Sequence, residues 1–199
     1  MSPFRHLLSS KTPFQWSADL DRAFRENKSK IVELVDKGVK SFDPYKVTCL
    51  SPDWSQSGIG WLLQQKECSC PKISPTCCNS GWSLVLAGGR FCSPAAGRYS
   101  PTEGEGLAVA VALEQSKFYT LGCEQLYIAT DHKPLVGIMN QQNLNTTENP
   151  RPQRIKERTM WWKFELIYTP GDSQKGADVI SRSKSPVTLN NHDKSPDNE

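Results

Sequence analysis

Four acidic residues stand where the surrounding sequence changes character: Asp53 in "SPDWSQSGIG", Glu105 in "SPTEGEGLAVAVALEQ", Asp131 in "YIATDHKPL" and Asp178 in "GADVISR". Carboxylate oxygens are hard, anionic ligands, and several brought together repel one another unless cations intervene. Oxygen sets of this kind select Mg²⁺ or Mn²⁺. Two such ions about 4 Å apart can clamp the attacking and leaving oxygens of a phosphoryl displacement. Each acid alone has a plainer reading. Asp53 could begin a turn, Glu105 could favour a helix N-terminus, Asp131 could cap the helix after it, and Asp178 could be a solvated helix residue. The chemistry therefore depends on whether the elements carrying them converge.

Those elements can be read from periodicity and turn signals. Strands are expected at 46–50 ("KVTCL"), 58–65 ("GIGWLLQQ"), 81–91 ("GWSLVLAGGRF"), 125–129 ("QLYIA") and 163–171 ("KFELIYTPG"). A long helix is expected over 100–122, with Leu107, Val111, Glu114 and Phe118 following one another at three- and four-residue steps. Shorter helices are expected from Pro134 to about Asn140, over 149–162 and over 173–184. The pattern predicts an α/β chain with a mixed five-stranded sheet and helices on both faces. If the first and fourth strands are neighbours, Asp53 and Asp131 leave adjacent strand ends. The helix between them can then lay Glu105 alongside, and a last helix across the sheet can bring Asp178 to the rim.

The flanks read differently. Residues 1–45 form a lead segment in which Ser17 can cap a helix carrying Leu20, Ala23, Phe24, Ile31 and Leu34, ended by Asp43-Pro44. Residues 46–183 form the main domain, and the polar tail 184–199 is expected to be disordered. The net charge of +3, from 24 basic and 21 acidic residues, neither establishes nor excludes nucleic-acid binding. Around Trp161 and Trp162, which we expect in the core, lie Arg151, Arg154, Lys156, Arg158 and Lys163. They could grip phosphates or form a solvated helix face. Ser55 and Lys133, near the acids, could also touch phosphate.

Seven cysteines with no secretory signal ahead of them suit an intracellular, reducing setting, and no apolar run approaches a membrane span. Cys68, Cys70, Cys77 and Cys78 lie together in "CSCPKISPTCC". Four thiols could bind zinc tetrahedrally, remote from the acids. The Cys-x-Cys and Cys-Cys spacings depart from the two-residue knuckle, so an insert of free or redox-active thiols is the alternative.

In this order and spacing, "DWSQSGIGWLL", "RYSPTEGEGLAVAVAL", "IATDHKPLVGIM" and "YTPGDSQKGADVISRS" resemble the ribonuclease H domain of reverse transcriptases from gypsy-class LTR retrotransposons. "LLSSKTPFQWSADLDRAF" resembles the connector that joins the polymerase part to that domain. The likeness covers roughly residues 4–183. It implies a ribonuclease H-like fold and a metal-dependent endoribonuclease that cuts the RNA strand of an RNA–DNA hybrid, leaving a 3′-hydroxyl and a 5′-phosphate.

By that resemblance the metal ligands are Asp53, Glu105, Asp131 and Asp178. Glu105, not Glu103, matches because it directly precedes "GLAVAVAL". One of two Mg²⁺ or Mn²⁺ ions would rest on Asp53, Asp131 and Asp178, the other on Asp53 and Glu105. Polymerase and integrase parts of a parent polyprotein become the implied partners, with no polymerase activity in this chain. Gly106 stands where the family usually has leucine, and Val179-Ile180 replaces Ala-Leu. No histidine lies between His132 and Asp178, whereas cellular ribonucleases H carry one in a loop before the last acid. His132 is expected to be a structural hydrogen-bonding residue. The alternative function is a catalytically weak binding or scaffold remnant of such a polyprotein.

Overall fold

The computed structural model describes residues 4, 7, 13–36, 38–78, 80–140 and 150–170; of residues 31 and 33–36 it describes the backbone alone. Asp178, the helix expected at 173–184 and the tail 184–199 lie outside the described residues.

The chain opens with helix α1 (Ala18–Asp36). Ser17 begins it as expected, its hydroxyl accepting from the Leu20 amide at 3.3 Å. A meander of β1 (Thr48–Trp54), β2 (Gly58–Lys66) and β3 (Trp82–Phe91) follows. Then come α2 (Pro101–Gln115), α3 (Lys117–Thr120), β4 (Leu126–Thr130), α4 (Lys133–Asn140), α5 (Pro150–Thr159) and β5 (Glu165–Tyr168). The five strands form one sheet in the order β3-β2-β1-β4-β5. The meander is antiparallel, whereas β4 runs parallel to β1 and β5 parallel to β4. This is the mixed five-stranded sheet with helices that the pattern predicts, and the first and fourth strands are neighbours.

β1 runs further than the sequence suggests. It passes through Pro52 and takes in Asp53, which pairs across β2 with Gly60. The ladder to β4 ends earlier, at Leu50 opposite Ile128. Pro52 has no N–H to give, and it lies past the end of that ladder, where β1 is flanked by β2 alone.

The expected helix over 100–122 is two helices. Ser116 ends α2, and its hydroxyl turns back to the Ala112 carbonyl at 2.6 Å. The expected apolar stripe is also corrected. Every residue from Glu103 to Leu113 is buried, whereas Glu114 is exposed and Phe118 is 88% exposed. A helix that is apolar all round is a central one. α2 packs on β1, β2 and β3 and against α4 and α5. Val109 and Leu113 meet Leu50, Leu63, Ile128 and Leu166 of the sheet in the main core.

Of the two tryptophans expected in the core, Trp162 packs against it, its indole N–H donating to Thr120 at 3.0 Å. Trp161 is 81% exposed, because α5 ends at Thr159 and the next residues turn away.

Candidate active site

The first turn of α2 sets the geometry. Ser100 caps it, Pro101 occupies the first helical position, and Glu103 completes a capping box. Two residues of this turn reach the strand ends that carry the acids. Thr102 Oγ1 shares a 2.8 Å hydrogen bond with His132 Nε2, the residue after Asp131. Gly104 lies flat on the indole of Trp54, the residue after Asp53; a Cβ there would stand 2.3 Å from Trp54 Cδ2. Glu105 follows Gly104 directly. α2 thus touches the immediate neighbours of both aspartates within the turn that leads into Glu105.

The sheet supplies the rest of the alignment. β1 and β4 pair as Thr48–Leu126, Cys49–Tyr127 and Leu50–Ile128. Carried forward without a shift, that register sets Asp53 level with Asp131. Asp53 is 6% and Glu105 9% exposed, while Asp131 lies exposed just past the end of β4. Removing carboxylates from water is costly unless they are compensated. A hard divalent cation is a compensation that suits an all-oxygen donor set. Among the described residues, the four thiols of the cysteine loop are the group of candidate ligands lying within 4.8 Å of one another. Asp53, Glu105 and Asp131 do not form such a group.

Neighbouring polar residues hold the frame. The His132 amide donates to Thr130 Oγ1 at 3.1 Å, so both the ring and the backbone of His132 fix the turn that presents Asp131. Thr102, its ring partner, was missed from sequence. A threonine in a first helical turn is too common to signal a partner thirty residues away.

Glu103 is engaged elsewhere. It accepts from the Ser100 amide at 3.1 Å and the Ser100 hydroxyl at 3.0 Å, and it pairs with Arg151 at 3.0 Å. Arg151 in turn lies over the Tyr99 ring, 4.6 Å from its centroid. Burial pushes the Glu103 carboxyl up, but these hydrogen bonds and the guanidinium outweigh it and hold the group below the usual carboxylate range.

The candidate phosphate-binding residues divide in the same way. Lys133 and Arg154 are exposed. Arg158 forms a two-point ion pair with Glu114, at 2.8 and 2.7 Å. Lys156 donates to the Ile138 carbonyl at 3.2 Å. The Ser55 hydroxyl closes the β1–β2 turn, donating to the Gly58 carbonyl at 3.0 Å and accepting from its amide at 3.1 Å.

The description "RNase H-like domain found in reverse transcriptase" fits residues 43–160, more than half of the chain. The chain belongs to this family. The chain is 27% identical over 181 residues to the transposon Tf2-3 polyprotein of Schizosaccharomyces pombe, a match covering 90% of this chain and 12% of the relative. It is 34% identical over 84 residues to the retrovirus-related Pol polyprotein from transposon opus of Drosophila melanogaster, covering 42% of this chain and 8% of that protein. The chain thus spans only about a tenth of the length of these curated relatives. Among solved structures, the foamy viral protease-reverse transcriptase in complex with RNA/DNA hybrid is similar over 100% of this chain and 24% of its own, with a TM-score of 0.58 at 13% identity. The same enzyme in complex with dsDNA is similar over 85% of this chain and 33% of its own, with a TM-score of 0.56 at 11% identity. At such identities these likenesses bear on the fold.

At the other end of its sheet, the RNase H-like domain carries the cysteine loop between β2 and β3. All four thiols are free. Burial pushes the Cys68 thiol up, but hydrogen bonds from the Cys70 backbone and from the Cys77, Cys78 and Cys70 thiols outweigh it and bring it down to about 7. No described helix is long and apolar enough to cross a membrane.

Proposed function

We propose that the domain is a ribonuclease of the RNase H type, hydrolysing the RNA strand of RNA–DNA hybrids with Mg²⁺ or Mn²⁺. The observation that supports this reading is the first turn of α2, where Gly104, one position before Glu105, packs on Trp54 and Thr102 bonds His132, the residues next to Asp53 and Asp131. Asp53, Glu105 and Asp131 would hold the cations, joined by Asp178 from outside the described residues. Bound ions supply an activated water and offset charge at the leaving 3′-oxygen, so no side-chain nucleophile is required.

The chain's own residues do the positioning. β1 and α2 keep two of the acids away from bulk water. His132, held by Thr102 and Thr130, fixes the turn of Asp131. Lys133 and Arg154 face solvent, where they can meet phosphates of the hybrid backbone. Arg158 and Ser55 are left out of that role, since the first is paired with Glu114 and the second holds its own turn. In a longer polyprotein, polymerase and integrase parts would be the physical partners, and α1 would join the domain to the former.

The test is cleavage of a labelled RNA–DNA hybrid by the purified chain with Mg²⁺, Mn²⁺ or chelator. Metal-dependent cutting of the RNA strand is expected. Asp131→Asn should lower it about 100-fold or more while the fold is kept, since that side chain is exposed. Undiminished cutting by the variant overturns the site. A folded wild-type chain that binds hybrid without cutting it overturns the enzyme in favour of a binding module.

A further inference from the structure

We propose that Cys68, Cys70, Cys77 and Cys78 form a structural zinc site that clamps the β2–β3 loop at the end of the sheet opposite the acids. Each of the four contributes a sulfur, and the sulfurs all lie within 4.8 Å of one another. A tetrahedral tetrathiolate site with Zn–S of about 2.3 Å places its sulfurs about 3.8 Å apart. The observed Sγ–Sγ distances of 3.3 Å for Cys68–Cys77 and 4.0 Å for Cys77–Cys78 bracket that value. Both far exceed the roughly 2.05 Å of a disulfide.

The surroundings are shaped for the cluster. The loop leaves and rejoins the sheet at the paired residues Lys66 and Trp82. Both side chains turn onto it: the Trp82 indole N–H donates to Cys77 Sγ at 3.3 Å, and the Lys66 ammonium donates to the Cys70 carbonyl. A tetrathiolate around Zn²⁺ carries net negative charge, so an N–H donor to sulfur and a nearby ammonium are the outer partners it needs. Gly81 completes the cradle. A Cβ there would stand 2.4 Å from Cys78 Sγ and 2.9 Å from Cys68 Sγ, so only glycine lets the backbone come this close.

Placement excludes a part in phosphoryl chemistry. Asp53 pairs with Gly60 near one end of β2, and the loop leaves from Lys66 at the other end, roughly 20 Å along the strand. What the loop adjoins is the junction between the lead segment and β1. Glu67, the residue before Cys68, holds Lys46 at 2.8 Å and Lys40 at 3.4 Å. The Lys40 amide also bonds the Leu84 carbonyl at 2.9 Å. A closed zinc site would fix the anchor on which the connection from α1 rests.

The test uses the full chain. Purified under reducing conditions with zinc in the medium, it should retain one zinc per chain through dialysis. Chelator should lower its melting temperature, and Zn²⁺ but not Mg²⁺ should restore it. Co²⁺ loaded into the chelated wild-type chain should give the thiolate charge-transfer and tetrahedral d–d bands, which Zn²⁺ then bleaches; this reading needs no variant to fold. Cys70→Ser should weaken zinc binding about tenfold or more, while Cys123→Ser, outside the loop, should keep one equivalent. Zinc well below one equivalent with all thiols titratable, an octahedral cobalt spectrum, or disulfides in the loop under reducing conditions would each overturn the proposal.

Discussion

Glu103 and Glu105 are two positions apart in one helix, and Glu103 is committed to the Ser100 cap and to Arg151. Glu105→Gln should lower hybrid cleavage about 100-fold or more and leave the fold intact. Glu103→Gln should keep cleavage and lower stability by up to about 1 kcal/mol, since glutamine can keep the capping box and loses only the charge that meets Arg151. The second effect depends on pH with a definite sign. The folded-state carboxyl of Glu103 lies below its unfolded value, so its contribution is complete above the unfolded value of about 4.3 and is lost as pH falls through the lowered folded one. The gap in melting temperature between wild type and Glu103→Gln should therefore be full at neutral pH and close as pH drops below about 4. A gap unchanged down to pH 3 would contradict the assignment. Motif position alone pointed to Glu105 rather than Glu103 as the candidate ligand. The role of Glu103 was not legible, because it meets Arg151 from an element 48 residues away. Likewise the charges around Trp161 gave no sign that Arg158 would close on Glu114 while Arg154 stayed at the surface.

At the scale of the element, α2 carries two glycines with opposite tolerance. A Cβ on Gly104 would collide with the Trp54 ring at 2.3 Å, whereas one on Gly106 would meet Ile155 at 3.4 Å and Leu135 at 3.5 Å in ordinary contact. Gly106→Ala should stabilise the chain by about 0.5–1 kcal/mol through helix propensity. Gly104→Ala should destabilise it by about 1–3 kcal/mol and also reduce cleavage, since the displaced ring is bonded in sequence to Asp53. Denaturant midpoints of the two variants check the pair; shifts of the same sign would refute the packing described. The sequence showed that a glycine stood at each position, and the family likeness marked Gly106 as the unusual one. It could not show that only Gly104 has a ring against it, which depends on where β1 ends. That end was itself misread, because Pro52 is a strand breaker by type yet lies where the ladder to β4 has already stopped. α2 was read as amphipathic from its spacing, but its alanines and valines are small and apolar on every side, and burial followed composition.

For the whole molecule, hybrid affinity should fall steeply with salt. Lys133→Ala and Arg154→Ala should each weaken binding at low salt and reduce the slope of log affinity against log salt by about 1, whereas Arg158→Ala should leave the slope unchanged. Fluorescence anisotropy over a salt series reads both; an unaltered slope for the first two would remove them from the interface. The architecture was legible because five strand-like runs, their turn glycines and the interposed long helix leave few ways to build a mixed sheet. Strand order was not, since nothing in "KVTCL" or "QLYIA" says that they are neighbours. That order has a consequence for synthesis. β1 is the central strand, yet its partner β4 begins at Leu126, more than seventy residues after β1 is complete. At about 5–20 residues per second, the ribosome leaves one side of β1 open for several seconds while β2, β3 and the cysteine loop can already close on the other. The nascent meander therefore exposes the unpaired hydrogen-bonding edge of β1 before β4 arrives to cover it, and that interval is when the chain is most open to chaperones or to pairing with another copy of itself.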